Sequence, residues 1–417
     1  MHATNTGAKR RLCLKELQIM YTRLATTLQH AASHPYYESH WGKGLCSIVR
    51  DTVAADSIEC FAEVMKKIPL LKREGLENIT PFRQDQSPIV SIRHTTGTTT
   101  NPLYRYRGTE EAKEINRQKT QTDPKIALHI MQTYHGGTSL LNTGTIDFYC
   151  NVLDESSLKN ALRLMLERFE CLGGKAVEVI YSPWLHMMLL TSWLKDNGVN
   201  PCSLEVKKVI LFGGHYSPFI DRMLKDYWGE IVEPRYSLSE VAYASAFDSC
   251  KGYRLKSTND CMVQLIPFDG LHYMLAFTEL YPVGYNQPVI KYSPEDIVFV
   301  EGSHFYVVGR RKNSFYINSK LLLGSNQIRD AIDKSYVPRM RQEYEFHGSN
   351  AIYGYPIAVK ITQPEATRVH IDFKSDIGLK GKNEIIENLS TVAMKNVAKH
   401  IDVTVGTDPY INCYLPK

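Results

Sequence analysis

The chain has 417 residues, of which 43% are hydrophobic and 22% charged. At ~150 residues per domain that is material for two to three domains, or for one large domain with a smaller partner, and it excludes both a wholly disordered chain and a small disulfide-stapled module. Lys and Arg number 49 against 44 Asp and Glu, a formal charge of +5, which is too thin an excess for a protein that lives on non-specific phosphate contacts with nucleic acid.

The polar, basic stretch from Met1 to Arg11 leads into Lys15, Glu16 and Gln18 rather than an apolar run, so no secretory signal is expected. The most membrane-like run, residues 184–194, contains His186 and is far short of the ~20 residues of a span. The nine cysteines include no CxxC pair, and their odd count and wide spacing argue against a disulfide framework and against a cysteine-based metal knot. The expectation is a soluble, cytoplasmic protein with neither nucleic acid nor membrane as partner.

In chain order, Leu17, Met20, Tyr21, Leu24 and Leu28 recur at helical spacing, and a second helical pattern covers residues 50–67 until Pro69. Residues 91–107 read as a short strand, a Thr-rich turn and a second strand. Helices are expected over 157–170, 183–195 and 218–228, the last with Pro218 in its first turn, and a buried strand over 206–212 stopped by Gly213 and Gly214. Runs at 262–266, 273–277 and 297–300 read as strands divided by turns. The polar segment 309–313 marks a hinge. After it come a strand at 314–317, a helix near 326–334, strands near 356–361 and 367–373 and a helix near 382–398. The pattern predicts an α/β fold with a large unit over residues 1–308 and a small, mobile α+β unit over 309–417.

The sharpest local feature is His94-Thr95-Thr96-Gly97-Thr98-Thr99-Thr100-Asn101-Pro102. Hydroxyls and exposed amides can wrap an anion without a formal charge, and Gly97 permits tight backbone curvature. The pattern lacks the glycines and terminal Lys-Ser/Thr of a Walker loop. Taken by itself it reads more readily as a Thr-rich surface hairpin than as a phosphate loop.

This segment resembles the phosphate loop of adenylate-forming enzymes, Ser-Ser-Gly-Thr-Thr-Gly-Lys-Pro, and the histidine ahead of it is similar to the phenylacetate–coenzyme A ligase branch. Pro35-Tyr36-Tyr37 and Ile68-Pro69-Leu70-Leu71-Lys72-Arg73-Glu74 resemble upstream segments of that branch. Thr100 stands where the family has its second glycine and Asn101 where it has lysine. The strand ending in Gly213-Gly214-His215 resembles the Gly-Gly-Glu that lines the family's adenine pocket, with His215 in place of glutamate. Tyr236-Ser237-Leu238-Ser239-Glu240 resembles Tyr-Gly-x-Thr-Glu. The resemblance implies that Tyr236 stacks on adenine, Ser239 contacts the α-phosphate and Glu240 holds Mg²⁺, a cation that prefers oxygen ligands. Tyr181-Ser182-Pro183-Trp184 resembles the Pro-Ser segment beside the acyl pocket. Tyr134-His135-Gly136-Gly137 falls where the family places aromatic and glycine residues near its carboxylate.

Pro288-Val289-Ile290-Lys291-Tyr292-Ser293-Pro294-Glu295-Asp296-Ile297 resembles Pro-x-Ile-Arg-Tyr-x-x-x-Asp-Leu, which implies that Asp296 accepts both ribose hydroxyls, with Glu295 as the alternative should register slip by one. Gly309-Arg310 resembles the Gly-Arg at the family's hinge, and Arg310 is then a contact to ribose or phosphate. Lys382 and the terminal Lys417 are both candidates for the lysine that a mobile small domain brings to the acyl phosphate.

The implied reaction joins a carboxylate to ATP, giving acyl-adenylate and pyrophosphate, with Thr95, Thr98, Thr99 and Glu240 in catalytic roles, Thr96, Gly97, Thr100 and Ser237 in nucleotide binding, and Tyr134, His135, Gly136, Ser182 and Trp184 around the acid. The acyl acceptor is a thiol or amine: coenzyme A most commonly, with an amide-forming amine and a carrier-protein thiol as competitors. A nucleotide-binding pseudoenzyme or scaffold is the remaining alternative, motivated by Thr100, Asn101 and His215. A homodimer is left open.

Overall fold

A computed structural model describes residues 6–55, 58–82, 88–94, 103–117, 125–130, 145–152, 154–248, 252–334, 359–373, 378–397 and 402–407. One 11-stranded sheet organises it, and the sheet has two unlike halves. In the first, the strands Thr145–Cys150, Lys125–Ile130, Val177–Pro183, Lys208–Phe212 and Val232–Ser237 lie side by side in that order and all run parallel. Their inward side chains, among them Ile126, Leu128, Ile180, Val209 and Leu211, are buried, as parallel strands packed under helices require. The winding reverses between Lys125–Ile130 and Val177–Pro183. In such open sheets the crevice beyond the carboxyl ends of the strands at that reversal is where ligands bind.

Helices Glu155–Leu166, Trp184–Asp196 and Pro218–Trp228 belong to this half. The first is capped by Asp154, whose side chain accepts from the Ser157 amide, and the third by Ser217, which accepts from the Ile220 amide, with Pro218 at the helix start. The apolar run at 184–194 is a core helix: Trp184, Leu185, Met187, Leu190 and Leu194 are all buried. No helix among the described residues is long and apolar enough to cross a membrane.

Beyond Val232–Ser237 the sheet turns antiparallel, through Ala244–Asp248, Gly252–Arg254, His304–Arg310, Asp296–Glu301, Tyr273–Glu279 and Cys261–Pro267. The N-terminal helices Thr6–Ala31, Pro35–Ala55 and Ile58–Lys67 pack against this half, where Leu24, Leu28, Tyr37 and Phe61 share a core with Phe277, Tyr292 and Phe305. Tyr37 ties the two together, its hydroxyl donating to the Pro288 carbonyl at 3.0 Å and accepting from the Ile290 amide at 3.1 Å. The hairpin Ile89–His94 with Tyr104–Gly108 flanks the Thr-rich turn.

The C-terminal part contains the hairpin Phe315–Ile317 with Lys320–Leu323, a helix over 325–334, and a separate three-stranded sheet of Val359–Glu365, Arg368–Phe373 and Asp402–Thr407. The last two strands run parallel and helix Gly378–Val397 is the crossover between them.

Several sequence expectations are corrected. The helix expected over 157–170 ends at Leu166, because Glu167 is extended. The single pattern at 50–67 is split between two helices, Pro35–Ala55 and Ile58–Lys67. The helix expected over 183–195 begins one residue later, at Trp184, because Pro183 ends a strand. The helix expected near 382–398 begins earlier, at Gly378, so Lys382 lies inside it rather than at its start.

Candidate functional site

Asp296 opens its strand, and Arg310 closes the next; the two are register partners across the hairpin Asp296–Glu301 with His304–Arg310. That pairing brings residues 14 apart in sequence into contact, with Arg310 Nε donating to Asp296 Oδ1 at 3.0 Å. Tyr236, at the end of the parallel half, donates its hydroxyl to Asp296 Oδ2 at 2.8 Å. Both carboxylate oxygens therefore hold a donor, one from each half of the sheet. Asp296 is 6% exposed, whereas the Arg310 side chain is 43% exposed. Asp296 holds the Arg310 guanidinium protonated against partial burial, while burial and that same carboxylate push the Tyr236 phenol far up, so it stays a donor across the accessible pH range.

Tyr236 is itself 9% exposed, and its ring sits among Tyr243, Tyr253, Phe277 and Phe305. Aromatic packing fixes the ring and the hydroxyl fixes Asp296. The chain then leaves the sheet through exposed Ser237 and Ser239 to Glu240. Ser239 Oγ donates to Glu240 Oε2 at 3.2 Å, and Arg73 Nη1 lies 3.5 Å from Glu240 Oε1. The Glu240 charge reaches Arg310, whose pKa it helps to raise, and reaches Tyr292 together with Asp296, Arg310 and Arg73. Asp296 thus holds one guanidinium, that of Arg310, and Glu240 faces another, that of Arg73.

Sequence reading passed over Arg73 as a contributor. Its position follows from a backbone bridge: the Leu71 amide donates to the Lys291 carbonyl and the Ser293 amide to the Leu71 carbonyl, which lays the start of helix Arg73–Glu77 beside Tyr292. The apolar residues before it carried the only sequence signal, since Leu71 is buried.

Gly213 and Gly214 end the strand Lys208–Phe212 with φ of 78° and 67°, a backbone that side-chain-bearing residues avoid. A Cβ on Gly214 would also lie 3.3 Å from Trp184 Nε1. His215 follows, and its Nε2 is 2.6 Å from Asp330 Oδ1 on the helix over 325–334. Gly309 is required for a different reason: a Cβ there would lie 2.5 Å from the Ser325 amide nitrogen.

Ser182 is fully buried, and its hydroxyl donates to the Pro183 carbonyl at 2.8 Å and the Ile130 carbonyl at 3.5 Å. Trp184 is 6% exposed within the core. Both are packed into the core at the carboxyl end of the strand Val177–Pro183, the Ser182 hydroxyl bonded to backbone. On the neighbouring strand, His129 Nε2 pairs with Asp147 Oδ1 at 2.9 Å, and its ring stacks between Tyr149 and Tyr181. The residues Thr95, Thr96, Gly97, Thr98, Thr99, Thr100, Tyr134, His135, Gly136 and Lys417 lie outside the described residues.

Among the described residues no three His, Cys, Asp or Glu side chains gather as a metal site. Glu240 nonetheless fits Mg²⁺, which is commonly held by one or two carboxylates with phosphates and water supplying the rest.

No protein-family model matches the sequence, and no curated protein matches it. Solved structures do. An open form of a 2-hydroxyisobutyryl-CoA ligase, in complex with 2-HIB-AMP and CoA, superposes with a TM-score of 0.62 at 13% identity over 94% of this chain and 88% of that one. The same ligase in its postadenylation state gives 0.58 at 14% identity, covering 94% and 86%. ATP-bound MatB from Rhodopseudomonas palustris gives 0.51 at 12% identity, covering 78% of this chain and 65% of MatB. At these identities the likeness is one of fold.

Proposed function

We propose that the chain is an ATP-dependent ligase that activates a small carboxylic acid as its acyl-adenylate and passes the acyl group to a thiol, coenzyme A foremost. The observation that carries this reading is Asp296, held at the junction of the two sheet halves by the Tyr236 hydroxyl and by half-exposed Arg310. In a chain with the fold of ligases crystallised with acyl-AMP, ATP and CoA, that is an arrangement suited to a nucleotide. The large unit over 1–308, the mobile unit over 309–417 and a cytoplasmic location belong to the same reading.

Asp296 offers a charged acceptor to a ribose diol, oriented by Tyr236. Arg310, half open to solvent and kept cationic, offers its remaining donors to ribose or phosphate. The Gly213–Gly214 turn presents backbone with no side chain in the way of a flat base, and Tyr236, its ring enclosed by other aromatics, serves the site through its hydroxyl on Asp296. Glu240 would hold Mg²⁺, which neutralises charge developing on the phosphates. The Thr-rich turn would supply hydroxyls and amides to the phosphates, and the segment 134–136 would border the acid. Lys382 and Lys417 remain the lysine candidates for the acyl-phosphate end.

The test is carboxylate-dependent exchange of labelled pyrophosphate into ATP over a broad acid panel, followed by thioester formation with coenzyme A. Exchange with at least one acid is expected, along with a coenzyme A thioester product. Exchange with amide formation only would assign an amine as acceptor. ATP binding without exchange for any acid would reject the enzyme reading in favour of a nucleotide-binding scaffold.

A further inference from the structure

Away from the proposed nucleotide contacts lies a set of buried charges. Arg105 and Arg107 alternate along the strand Tyr104–Gly108 that leaves the Thr-rich turn, so both point to one side. They meet Glu279, the last residue of strand Tyr273–Glu279: Arg105 Nη2 to Oε2 at 2.8 Å, Arg107 Nη1 to Oε2 at 3.0 Å and Arg107 Nη2 to Oε1 at 2.5 Å. Glu279 and Arg105 are 0% exposed. Glu111 and Asn286 complete the set, with Asn286 Nδ2 donating to Glu111 Oε2 at 2.9 Å.

A buried ion set is poor evidence for stability, because well-packed apolar residues of similar volume commonly do as well. What it provides that an apolar patch does not is a directed acceptor. Glu279 Oε1 keeps a place for one further donor, and the Ala242 amide fills it at 2.7 Å. Ala242 is two residues from Glu240. The Tyr243 amide donates to the Val241 carbonyl at 2.8 Å, closing a tight turn centred on Ala242. Without the Glu279 contact, Glu240 would be held by the Ser239 hydroxyl and by Arg73 at its own exposed end.

We propose that Glu279 is a positioning residue: clamped by Arg105 and Arg107, its carboxylate holds the Ala242 amide and thereby fixes Glu240 beside Arg73. The effect on rate rests on the adenylating reading; the effect on the 239–243 segment does not.

The variant Ala242→Pro removes this one amide proton and leaves every charge in place. Ala242 is not among the residues with positive φ, and an inverse three-residue turn has a φ that proline adopts. Glu279→Asp is the second variant; it keeps the charge beside the arginines and draws the acceptor back. In both, amide hydrogen exchange over 239–243 should speed up roughly tenfold or more, the loss of a hydrogen bond to a charged group, with the exchange of 104–108 little changed in Ala242→Pro. The Mg²⁺ concentration for half-maximal pyrophosphate exchange should rise by a similar factor, with a smaller change in KM for ATP. Unchanged protection over 239–243 in a folded variant overturns the proposal, as does lost protection with unchanged Mg²⁺ dependence in an active enzyme. Lost protection in a chain whose wild type activates no acid leaves Glu279 as the holder of this segment and removes the adenylating reading instead.

Discussion

Glu279 and Asp296 are both buried carboxylates that meet arginine, and they differ in what surrounds the arginine. Around Glu279 the guanidiniums are sealed, with side-chain exposures of 1% and 4%. Around Asp296 the partner is open, with Arg310 at 43%. A sealed pair cannot exchange partners without unfolding, so it sets register. An open pair can give up part of its hydrogen bonding to an arriving ligand at modest cost, because its cation is already half solvated. Under the proposed function, the difference makes one acid part of the scaffold and the other a recognition group.

The largest effect that would break this comparison is at Glu279. Replacing it with Ala leaves buried Arg105 without an ion-pair partner and Arg107 with only Glu111 at 3.9 Å, and a loss of roughly 3–5 kcal/mol of stability is expected. Urea unfolding measures it; a loss no larger than that of Asp296→Ala would erase the distinction. Next, Asp296→Ala should weaken ATP binding about 10- to 100-fold, the equivalent of a charge-assisted hydrogen bond, with the fold retained. Calorimetric titration with ATP decides this, and unchanged affinity removes Asp296 from the nucleotide site.

The smallest effect concerns pH and sharpens the comparison from outside. Burial pushes the Glu279 carboxyl up, but Arg107 and Arg105 more than offset it and leave it below the usual carboxylate range. A depressed folded pKa gives stability that is full above the unfolded value of ~4.3 and is lost as pH falls through the folded one. His34 is buried and His30 half-buried, both without such counter-ions, the His30 Nε2 2.7 Å from the Tyr285 carbonyl and the His34 Nε2 2.8 Å from the Thr80 carbonyl. Burial lowers both pKa values, so the unfolded chain takes up protons first and stability declines as pH drops below ~6.5. A pH series of Tm should therefore show two separate declines, one setting in near neutrality and one in acid. His30→Gln combined with His34→Gln should flatten the first and spare the second.

Much of the site was legible because its signals are local. Gly213 and Gly214 stop a buried strand, Pro218 starts a helix, and Asp296 and Glu240 sit in short motifs whose residue types suit ribose and magnesium. What was not legible depends on register. Glu279 reads as an ordinary strand end until the pairing of distant segments brings Arg105, 174 positions away, onto it. The alternation of Arg105 and Arg107 around Tyr106 was the available clue, since two arginines on one side of a strand that begins after buried Leu103 need a buried partner. The parallel strands Lys125–Ile130 and Val177–Pro183 were missed for a related reason. Strands covered on both faces lose the alternation that marks half-exposed ones.

The bond between His215 and Asp330 spans 115 positions and links the glycine turn to the helix over 325–334, a short way past Arg310. Any swing of that helix away from the turn must part the imidazole from its carboxylate. The nitrogen resonances of this one side chain thus serve as a built-in gauge of where the C-terminal third of the molecule stands, readable in solution without attaching a label.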